Sequence, residues 1–361
     1  MKKSLLALAI VTAASSASAV TVYDKDGTSF AVGGRVQAVV YSSNFNKVAD
    51  HDTGLVNSAR LNLGGKTKVN DFVSVFAFTE WNMADGNKAA TGDSMNTRDQ
   101  YVGADFGSFG TVSAGKQFDA FYAVQAATDI YEDLGSVMSG NTNGERRQGT
   151  FAYTFDNNGF FGKASFETAA DDVSVNGEKA NVEGGFAYSL GYTLDDVVFG
   201  PLSFKAGYSY VAGQNDRDNL GQASMKRFDN FKTEGASISW GSLDSGLYLA
   251  ALYEQNREKL RTLGSNSSYL TKTNGYELVG GYTFDNGLSA FIGYEVKSAK
   301  NEYQFNVAAN SEKKMSRRIP VIVNYALTNN FKLWSEAEFD ANSSENKNRK
   351  NSLSVGARYT F

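Results

Sequence analysis

The last eleven residues of the chain, 351–361, alternate between apolar and polar side chains and end on an aromatic residue. Successive residues of a β-strand point to opposite sides, so this pattern predicts a strand with one apolar and one polar face. In a soluble sheet the apolar face would be buried in a core. In a closed barrel in lipid it would be the outside, with an aromatic residue at the membrane boundary. The apolar face carries Leu353, Val355, Ala357, Tyr359 and Phe361.

The first nineteen residues have the three parts of a secretory signal peptide. Lys2 and Lys3 form a positive start, residues 5–14 are apolar but too few to span a bilayer, and 17–19 read Ala-Ser-Ala. We therefore expect cleavage after Ala19 and a single mature domain over 20–361. The exported chain has no cysteine, so disulfides and thiolate metal sites are excluded. The formal net charge of the full sequence, −4, does not favour nucleic acid as a partner.

The composition favours strands throughout, because 36 Gly, 19 Tyr and 25 Phe occur with only 2 Pro. The mean hydropathy of −0.35 does not favour membrane helices. Most of the alternating segments have nine to thirteen residues, a length that suits tilted strands in a bilayer. We predict sixteen such segments, at 29–44, 56–68, 73–83, 97–106, 110–118, 145–155, 160–169, 183–194, 202–213, 232–240, 246–256, 272–284, 288–298, 314–326, 331–341 and 351–361.

Short and long connections alternate along the chain. The short ones are turn-forming sequences, such as Asn70-Asp71 and Asp285-Asn-Gly287, and the long ones are polar. This alternation places every long connection at the same end of the barrel. An even strand number with short turns at one end and long loops at the other is typical of outer-membrane barrels. The predicted fold class is therefore an all-β, sixteen-stranded antiparallel transmembrane β-barrel with periplasmic turns and external loops.

Charged residues fall on the inner face of the predicted strands, as Lys205, Lys332, Glu336 and Glu338 illustrate. Sixteen strands leave an aqueous lumen, whereas eight would be filled by side chains, so the pattern predicts a channel. The aromatic residues near the short turns form a predicted membrane girdle. They are Tyr192, Phe199, Phe204, Trp240, Tyr282, Phe284, Tyr325, Phe331, Tyr359 and Phe361.

The interval 119–144 is the longest without a strand pattern, and its residues 120–127 are apolar or small. A loop in water would not need them, so we expect this loop to fold inward and to carry Asp129, Glu132 and Asp133 into the lumen. An ordinary external loop with solvated acids is the alternative. Which of Glu132 and Asp133 narrows the pore is left open by the sequence.

Strand parity places Arg35, Arg60 and Arg146 inside the barrel. Arg147 should face out unless a bulge intervenes, while the parity of the strand that begins with Arg98 is ambiguous. A row of arginines facing a carboxylate loop across a narrow watery gap would set up a transverse electric field. Such a field orients dipolar solutes and weights the passage of ions. We place Arg358 in the wide lower vestibule, away from this cluster.

Several motifs resemble those of Gram-negative general diffusion porins. The similarity covers the start 21–27, the Val32-Gly-Gly-Arg35 motif, and 58–66 with the sequence Ser-Ala-Arg-Leu-Asn-Leu-Gly-Gly-Lys. It also covers 115–129, which resembles the fifth strand of the family running into its constriction loop, and the end 356–361. The resemblance implies a homotrimer of sixteen-stranded barrels, each with its third loop folded into the pore. The basic cluster of the family would fall on Arg35, Arg60, Arg98 and Arg146, and the loop carboxylates on Asp129 and Asp133.

This chain departs from the family at 131–136, where Tyr-Glu-Asp-Leu-Gly-Ser replaces a Pro-Glu-Phe-Gly-Gly-Asp stretch. Membrane lipid, lipopolysaccharide, small hydrophilic solutes and ions are the expected partners, and no cofactor is expected. The smoother outer faces of the first strands are the expected subunit surface, although lipid would fit them equally well. They carry Val32, Val36, Ala38, Leu61, Leu63, Val73, Val75 and Ala77.

Three other functions remain open. A barrel hydrolase needs a histidine base, and the sole histidine, His51, lies between two aspartates in a predicted loop that is no defined metal site. A sugar-specific porin would need an aromatic track, for which Phe76, Tyr248, Phe291 and Trp334 are the inward-facing candidates. An adhesin or receptor role of the loops is compatible with a channel. We expect a non-enzymatic channel for passive diffusion.

Overall fold

The computed structural model describes residues 19–42, 53–85, 95–135, 138, 146–175, 178–214, 226–262, 268–304, 314–343 and 351–361. His51 and most of the long connections lie outside these ranges. Among the described residues, no helix is both long enough and apolar enough to cross a membrane. The described helices are a 3₁₀ turn at Gly107–Phe109 and one short α-helix, α1, at Tyr122–Gln125.

Eighteen strand segments are described. In chain order they are β1 Val20–Lys25, β2 Thr28–Ser42, β3 Thr53–Lys68, β4 Ser74–Asp85, β5 Asn96–Asp105, β6 Thr111–Phe118, β7 Arg146–Asn157, β8 Phe160–Glu167, β9 Ala170–Val175, β10 Glu178–Val197, β11 Gly200–Gly213, β12 Lys226–Gly241, β13 Gly246–Thr262, β14 Ser268–Thr283, β15 Leu288–Gln304, β16 Lys314–Ala326, β17 Phe331–Asp340 and β18 Ser352–Thr360.

These segments form a closed antiparallel barrel of sixteen strands, because two of the sixteen are each built from two segments. Both β8 and β9 pair with β10, one after the other. At the seam, β18 pairs with Arg35–Ser42 of β2, and β1 pairs with the preceding residues Thr28–Val32. The ring is closed because β18 reaches β2 and every consecutive pair between them is hydrogen-bonded. The predicted fold class is confirmed.

At the seam, the last residue, Phe361, and the first strand, β1, meet side by side on β2. Phe361 exchanges two backbone hydrogen bonds with Gly34, of 2.8 Å and 2.9 Å, and Val20 pairs with Val32. The strand β1 is absent from the predicted segments, because residues 20–25 are few and include two charges. Its role is to continue the ladder beyond Phe361, so that the first half of β2 is not left as an open edge.

All sixteen predicted segments coincide with strands, but several strands are longer than predicted. The segment predicted at 183–194 extends to Glu178–Val197, and that at 232–240 extends to Lys226–Gly241. The added residues lie mostly on the side of the long connections and are largely polar. Alternation between apolar and polar residues marks only the part of a strand that faces lipid, whereas the backbone ladder continues past it.

The faces of the barrel are inverted relative to a soluble protein. Outward-pointing apolar side chains are exposed, as shown by Val102 at 60%, Phe151 at 55% and Leu190 at 65%. Polar and acidic side chains are buried on the inner wall, among them Glu254, Glu277 and Glu336. Girdle aromatics contact each other on the outside, for example Phe199 and Trp240 with ring centroids 4.0 Å apart.

The seam provides a test of closure. A Cβ at Gly34 would lie 2.5 Å from the Arg60 carbonyl oxygen and 2.8 Å from the Phe361 ring, whereas a Cβ at Gly65 of β3 has no neighbour nearer than 3.9 Å. We expect Gly34→Ala to destabilise the barrel by about 1–3 kcal/mol, because it overpacks the closing strand pair. Urea unfolding of the detergent-refolded protein measures this change. The matched variant Gly65→Ala should be nearly neutral, and equal stability of the two variants would contradict this account of the seam.

Candidate pore constriction

The connection after β6 begins with a turn fixed by Asp119. One oxygen of this buried carboxylate accepts hydrogen bonds from the backbone N–H groups of Phe121, at 2.8 Å, and Tyr122, at 3.2 Å. Ala120 is held on both sides: its N–H donates to the Ser165 hydroxyl at 3.0 Å, and its carbonyl accepts from the Ser189 hydroxyl at 2.7 Å. Because these serines belong to β8 and β10, the chain turns from the end of β6 onto the inner wall.

Apolar residues then attach the loop to the opposite part of the wall. Ala120, Phe121 and Val124 are fully buried and pack with Ala187 and Leu252. Further along, the loop residues Ala127, Ile130 and Tyr131 cover a second cluster of inner-wall side chains on β13 to β16. The members of that cluster are Tyr248, Ala250, Val279, Phe291 and Ile322. Burial of this apolar surface explains why residues 120–127 lack charge.

Buried glutamates of the wall supply polar contacts for the same loop. Glu254 of β13 accepts a hydrogen bond from the Gln125 side chain at 2.8 Å. Glu277 of β14 accepts from the Thr128 hydroxyl at 2.6 Å and from the Met138 N–H at 3.0 Å. These contacts attach the middle of the loop to β13 and β14.

Glu336 of β17 makes the most extensive contact with the loop. Its carboxylate accepts hydrogen bonds from three consecutive backbone N–H groups, those of Glu132 at 2.9 Å, Asp133 at 3.2 Å, and Leu134. The Glu336 side chain is fully buried beneath them. Three converging N–H donors replace the water that a buried carboxylate would otherwise need. The described loop, 119–135 with Met138, therefore lies along the inner face from β8 to β17.

Two of the three predicted loop acids, Glu132 and Asp133, are bonded to side chains of the wall. Glu132 pairs with Lys332 of β17 and, at 2.5 Å, with Arg358 of β18. Asp133 accepts hydrogen bonds from the Tyr41 hydroxyl at 2.8 Å, the Trp334 indole N–H at 2.9 Å and the Ser354 hydroxyl at 2.9 Å. Both carboxylates contact the wall.

Asp129 is the exposed member of the three, and it accepts a hydrogen bond from the Tyr122 hydroxyl at 3.0 Å. The sequence left open which of Glu132 and Asp133 narrows the pore. Both are engaged by wall residues, so Asp129 is the acid of this group that is directed to solvent.

The Glu132 contact persists in acid. Burial alone would raise the pKa of the Glu132 carboxyl, but Lys332 and Arg358 outweigh it and hold this pKa at about 2. Because the folded-state pKa is depressed below the ordinary 4.5, the stabilisation from this contact is complete above about pH 4.5 and is lost as the pH falls toward 2. The loop therefore keeps this attachment through the mildly acidic range.

The four predicted arginines lie together on the wall. Arg35 and Arg60 are direct partners across β2 and β3. Arg60 donates to the Asn82 side chain at 2.9 Å, and it is electrostatically coupled to Arg35, Arg98 and Arg146. The side chains of Arg60, Arg98 and Arg146 are 24%, 23% and 20% exposed, so each reaches water.

Wall carboxylates and an aromatic ring hold two of these arginines in place. Arg98 pairs with Glu80 at 2.8 Å, and Arg146 pairs with Asp99 at 2.7 Å. The Arg146 guanidinium also lies over the Phe118 ring, 3.7 Å from its centroid, and that ring stacks on Tyr122 of the loop at 3.8 Å. The basic wall and the start of the loop are thus in direct contact.

The placement of Arg358 in the lower vestibule was wrong. Its guanidinium contacts Glu132 and Gln37 and lies 5.1 Å from the Trp334 ring centroid, which puts it beside the loop. It is also electrostatically coupled to Arg35. Parity correctly gave an inward direction for Arg358 and Lys332, but the depth at which the loop meets the wall cannot be read from parity.

Two bulges explain the basic positions that parity left ambiguous or placed outside. The register shifts between Glu80 and Trp81, opposite Asp99 and Thr97, and this turns Arg98 toward Glu80 on the inner face. A second shift between Gly115 and Gln117 lies opposite Arg147. Arg147 is buried and interacts with Glu167, whose neighbour Ser165 contacts the loop. A bulge adds one residue and reverses the parity beyond it.

The aromatic residues considered for a sugar track face inward but are covered. Phe76, Tyr248, Phe291 and Trp334 are 8%, 6%, 6% and 2% exposed. Phe76 packs edge-on against Tyr101, Tyr248 and Phe291 lie under the loop, and Trp334 lies under Asp133. A sugar-stacking surface needs open ring faces, and these four rings do not offer them in the described part of the chain.

Comparisons with known proteins identify the family. The profile described as "Gram-negative porin" matches residues 5–361. The outer membrane porin PhoE of Enterobacter cloacae is 28% identical, with 100% of both chains covered. Among solved structures, the OmpF porin of Salmonella typhi in complex with daunomycin gives a TM-score of 0.74 at 20% identity, covering 95% of this chain and 100% of that one. The trimer form of OmpT from Vibrio cholerae gives 0.66 at 13%, covering 93% and 100%. The chain belongs to the Gram-negative porin family, whose members are outer-membrane channels and not enzymes.

Proposed function

We propose that this porin forms a water-filled channel for non-specific passive diffusion of small hydrophilic solutes and ions. The loop that follows β6 lies along the inner wall and limits the size of the solutes that pass. Charge is filtered by a transverse field between the basic wall and the loop. The observation that carries the proposal is the grouping of Arg35, Arg60, Arg98 and Arg146, partly exposed to water, on the wall that the loop approaches.

The acidic side of this field is assigned chiefly to Asp129. Glu132 is compensated by Lys332 and Arg358, and Asp133 is surrounded by hydrogen-bond donors, so both contribute less to the field in the open lumen. A unit charge facing an aqueous gap acts on passing ions with little screening over a few ångströms. The field therefore runs from the arginines toward Asp129.

We also propose that the porin is exported with a cleaved signal peptide and assembles as a homotrimer. A homotrimer would use the smooth outer faces of β2 to β4, where apolar residues such as Val36 and Val75 are exposed. The amino-terminal nineteen residues would be removed as a signal peptide, leaving one domain from Val20. Lipid and lipopolysaccharide would surround the remaining outer surface.

Liposome swelling with a graded series of sugars and amino acids tests the general-diffusion function. Entry rates should fall smoothly with solute size and should not saturate, because no open aromatic track selects one sugar. Stereoisomers of equal size should enter at equal rates. Saturable, stereoselective entry of one sugar would overturn the proposal and favour a substrate-specific porin.

Removal of one constriction charge tests the filter. In water, a unit charge at about 7 Å changes the energy of a monovalent ion by about 0.6 kcal/mol, with opposite sign for cations and anions. We therefore expect Arg60→Gln to shift the cation-to-anion permeability ratio toward cations by up to about sevenfold. Reversal potentials in planar bilayers under a salt gradient measure this ratio. Lys232→Gln removes the same charge from the outer face and should leave the ratio unchanged. An unchanged permeability ratio in the Arg60→Gln variant would show that Arg60 does not act on the permeating ions.

A further inference from the structure

A notch opens in the barrel wall where two neighbouring strands separate. The last hydrogen bond between β7 and the segment after β8 runs from the Thr168 N–H to the Gly149 carbonyl, at 3.1 Å. Beyond this bond, in the described part of the chain, β9 pairs with β10 and the start of β7 pairs with β6. The separation leaves a cavity of about 340 Å³, which we call the notch. It is lined by Lys116, 146–148, 167–168, 170–173 and Val182.

The β7 side of the notch carries three cations, Lys116, Arg146 and Arg147. Lys116 donates a hydrogen bond to the Thr97 carbonyl at 2.5 Å, and Arg146 donates from Nε to Asp99 at 2.7 Å. A guanidinium has five N–H donors in a planar fork. The bond from Nε therefore leaves the terminal nitrogens of Arg146 able to donate to a carboxylate.

The β9 side of the notch carries three acids, Glu167, Asp171 and Asp172. Asp172 is exposed and has a left-handed backbone with φ of 57°. Its N–H donates to the Asn181 side-chain oxygen at 3.1 Å, and the register between β9 and β10 shifts beside it. Aspartate is one of the few residues that adopt this conformation readily, and a bulge of this kind changes the direction of a side chain. The local backbone thus presents the Asp172 carboxylate at the notch.

The floor of the notch is apolar. Ala170, Val173 and Val182 line it. Val182 belongs to a buried cluster against which the other two pack. The further members of that cluster are Ala180, Val211, Phe228 and Phe231. The notch therefore joins a basic side, an acidic side and an apolar floor.

The notch adjoins the constriction at the end of the barrel that carries the long connections. Arg146 is electrostatically coupled to Arg60 of the basic wall. Glu167 accepts a hydrogen bond from the Ser165 hydroxyl at 2.9 Å, and the same hydroxyl accepts from the Ala120 N–H of the loop. A solute in the notch would therefore lie beside the pore, next to the start of the loop.

We propose that the notch is a transient binding site for zwitterionic solutes with an apolar side chain, the chemistry of amino acids and short peptides. The solute carboxylate lies against Arg146 and Lys116, its ammonium group against Asp172, and its side chain against Val173. A phosphate would meet the acids of one side, and a metal ion would meet the cations of the other. The volume is at the small end of ligand pockets, which suits a dipeptide.

The inference rests on the proposed diffusion function, to which it adds the capture of one class of solute beside the constriction. Ion pairs that water reaches are weak, so a captured solute leaves quickly and does not limit diffusion through the pore. Neutral sugars use neither charged side of the notch. Their entry is therefore independent of it.

Four probes of similar size test whether both charges of the solute are recognised. Alanyl-leucine is zwitterionic, N-acetyl-leucine has only the carboxylate, leucine amide has only the ammonium group, and N-acetyl-leucine amide is neutral. Saturation-transfer NMR with the detergent-solubilised porin measures the affinity of each. Alanyl-leucine should bind most tightly, with a loss of about fivefold for each charge removed. Equal affinity of the four probes would overturn the site, as would displacement of alanyl-leucine by millimolar inorganic phosphate.

Two matched variants test the position of the site. Asp172→Asn removes one charge from the notch and keeps a residue that accepts the left-handed backbone. Asp26→Asn is the control, because Asp26 is also exposed, has φ of 53°, and lies at the hairpin between β1 and β2. Asp172→Asn should bind alanyl-leucine about fivefold more weakly and should no longer prefer it to N-acetyl-leucine. The control should bind all four probes as the unaltered porin does.

Single-channel conductance and the entry of neutral sugars separate this site from the diffusion function. Both should be close to the unaltered values in the two variants, which also shows that the barrels are folded. Equal affinity of the two variants for alanyl-leucine would overturn the site and leave the diffusion function standing. Saturable sugar entry with an intact preference for alanyl-leucine would overturn the diffusion function and leave the site standing.

Discussion

The closed backbone ladder is the constraint on which the rest of this structure depends. In the hydrocarbon of a bilayer an unpaired N–H or C=O group finds no water, so a sheet can cross only if it has no edge. The seam meets this condition with two chain ends on one strand, because β18 and β1 together cover β2. Gly34 allows the close approach of Phe361 at their junction. Closure assigns one face of every strand to lipid and the other to the lumen.

The inner face can therefore carry acidic side chains that a soluble core would rarely accept. Glu254, Glu277 and Glu336 are buried on the wall, and each accepts hydrogen bonds from the loop that follows β6. Together with the buried Phe121 and Val124, these carboxylates hold the loop across the lumen. Glu132 and Asp133 attach its far end beside Arg358 and Trp334. Asp129 is the exposed acid of the loop, and it accepts a hydrogen bond from Tyr122.

Much of this arrangement could be predicted from the sequence, because period-two alternation and loop length report strand number, faces and the barrel end to which each connection belongs. The inward direction of Arg35 and Arg60 followed from the same parity. Arg146, which pairs with Asp99, lies beyond the bulge, where simple parity does not apply. Parity failed for Arg147 because a bulge reverses it, and a bulge leaves only a weak sequence signal, here a nearby glycine with positive φ at Gly149. The roles of Lys332, Arg358 and Glu336 depend on which wall residues the loop meets. That contact is set by tertiary packing over about 200 residues of sequence separation.

The far end of the loop is attached to the wall through Asp133, whose carboxylate is bonded to Tyr41, Trp334 and Ser354. Because the chain has no cysteine, a disulfide trap measures it directly. Asp133→Cys with Ser354→Cys joins two side chains that lie 2.9 Å apart in a hydrogen bond, and Asp129→Cys with Ser354→Cys is the matched control. The account predicts rapid cross-linking of the first pair under mild oxidation, with single-channel conductance close to that of the unaltered porin, and little cross-linking of the second. Equal cross-linking of the two pairs, or a large change in conductance on forming the first bond, would contradict it.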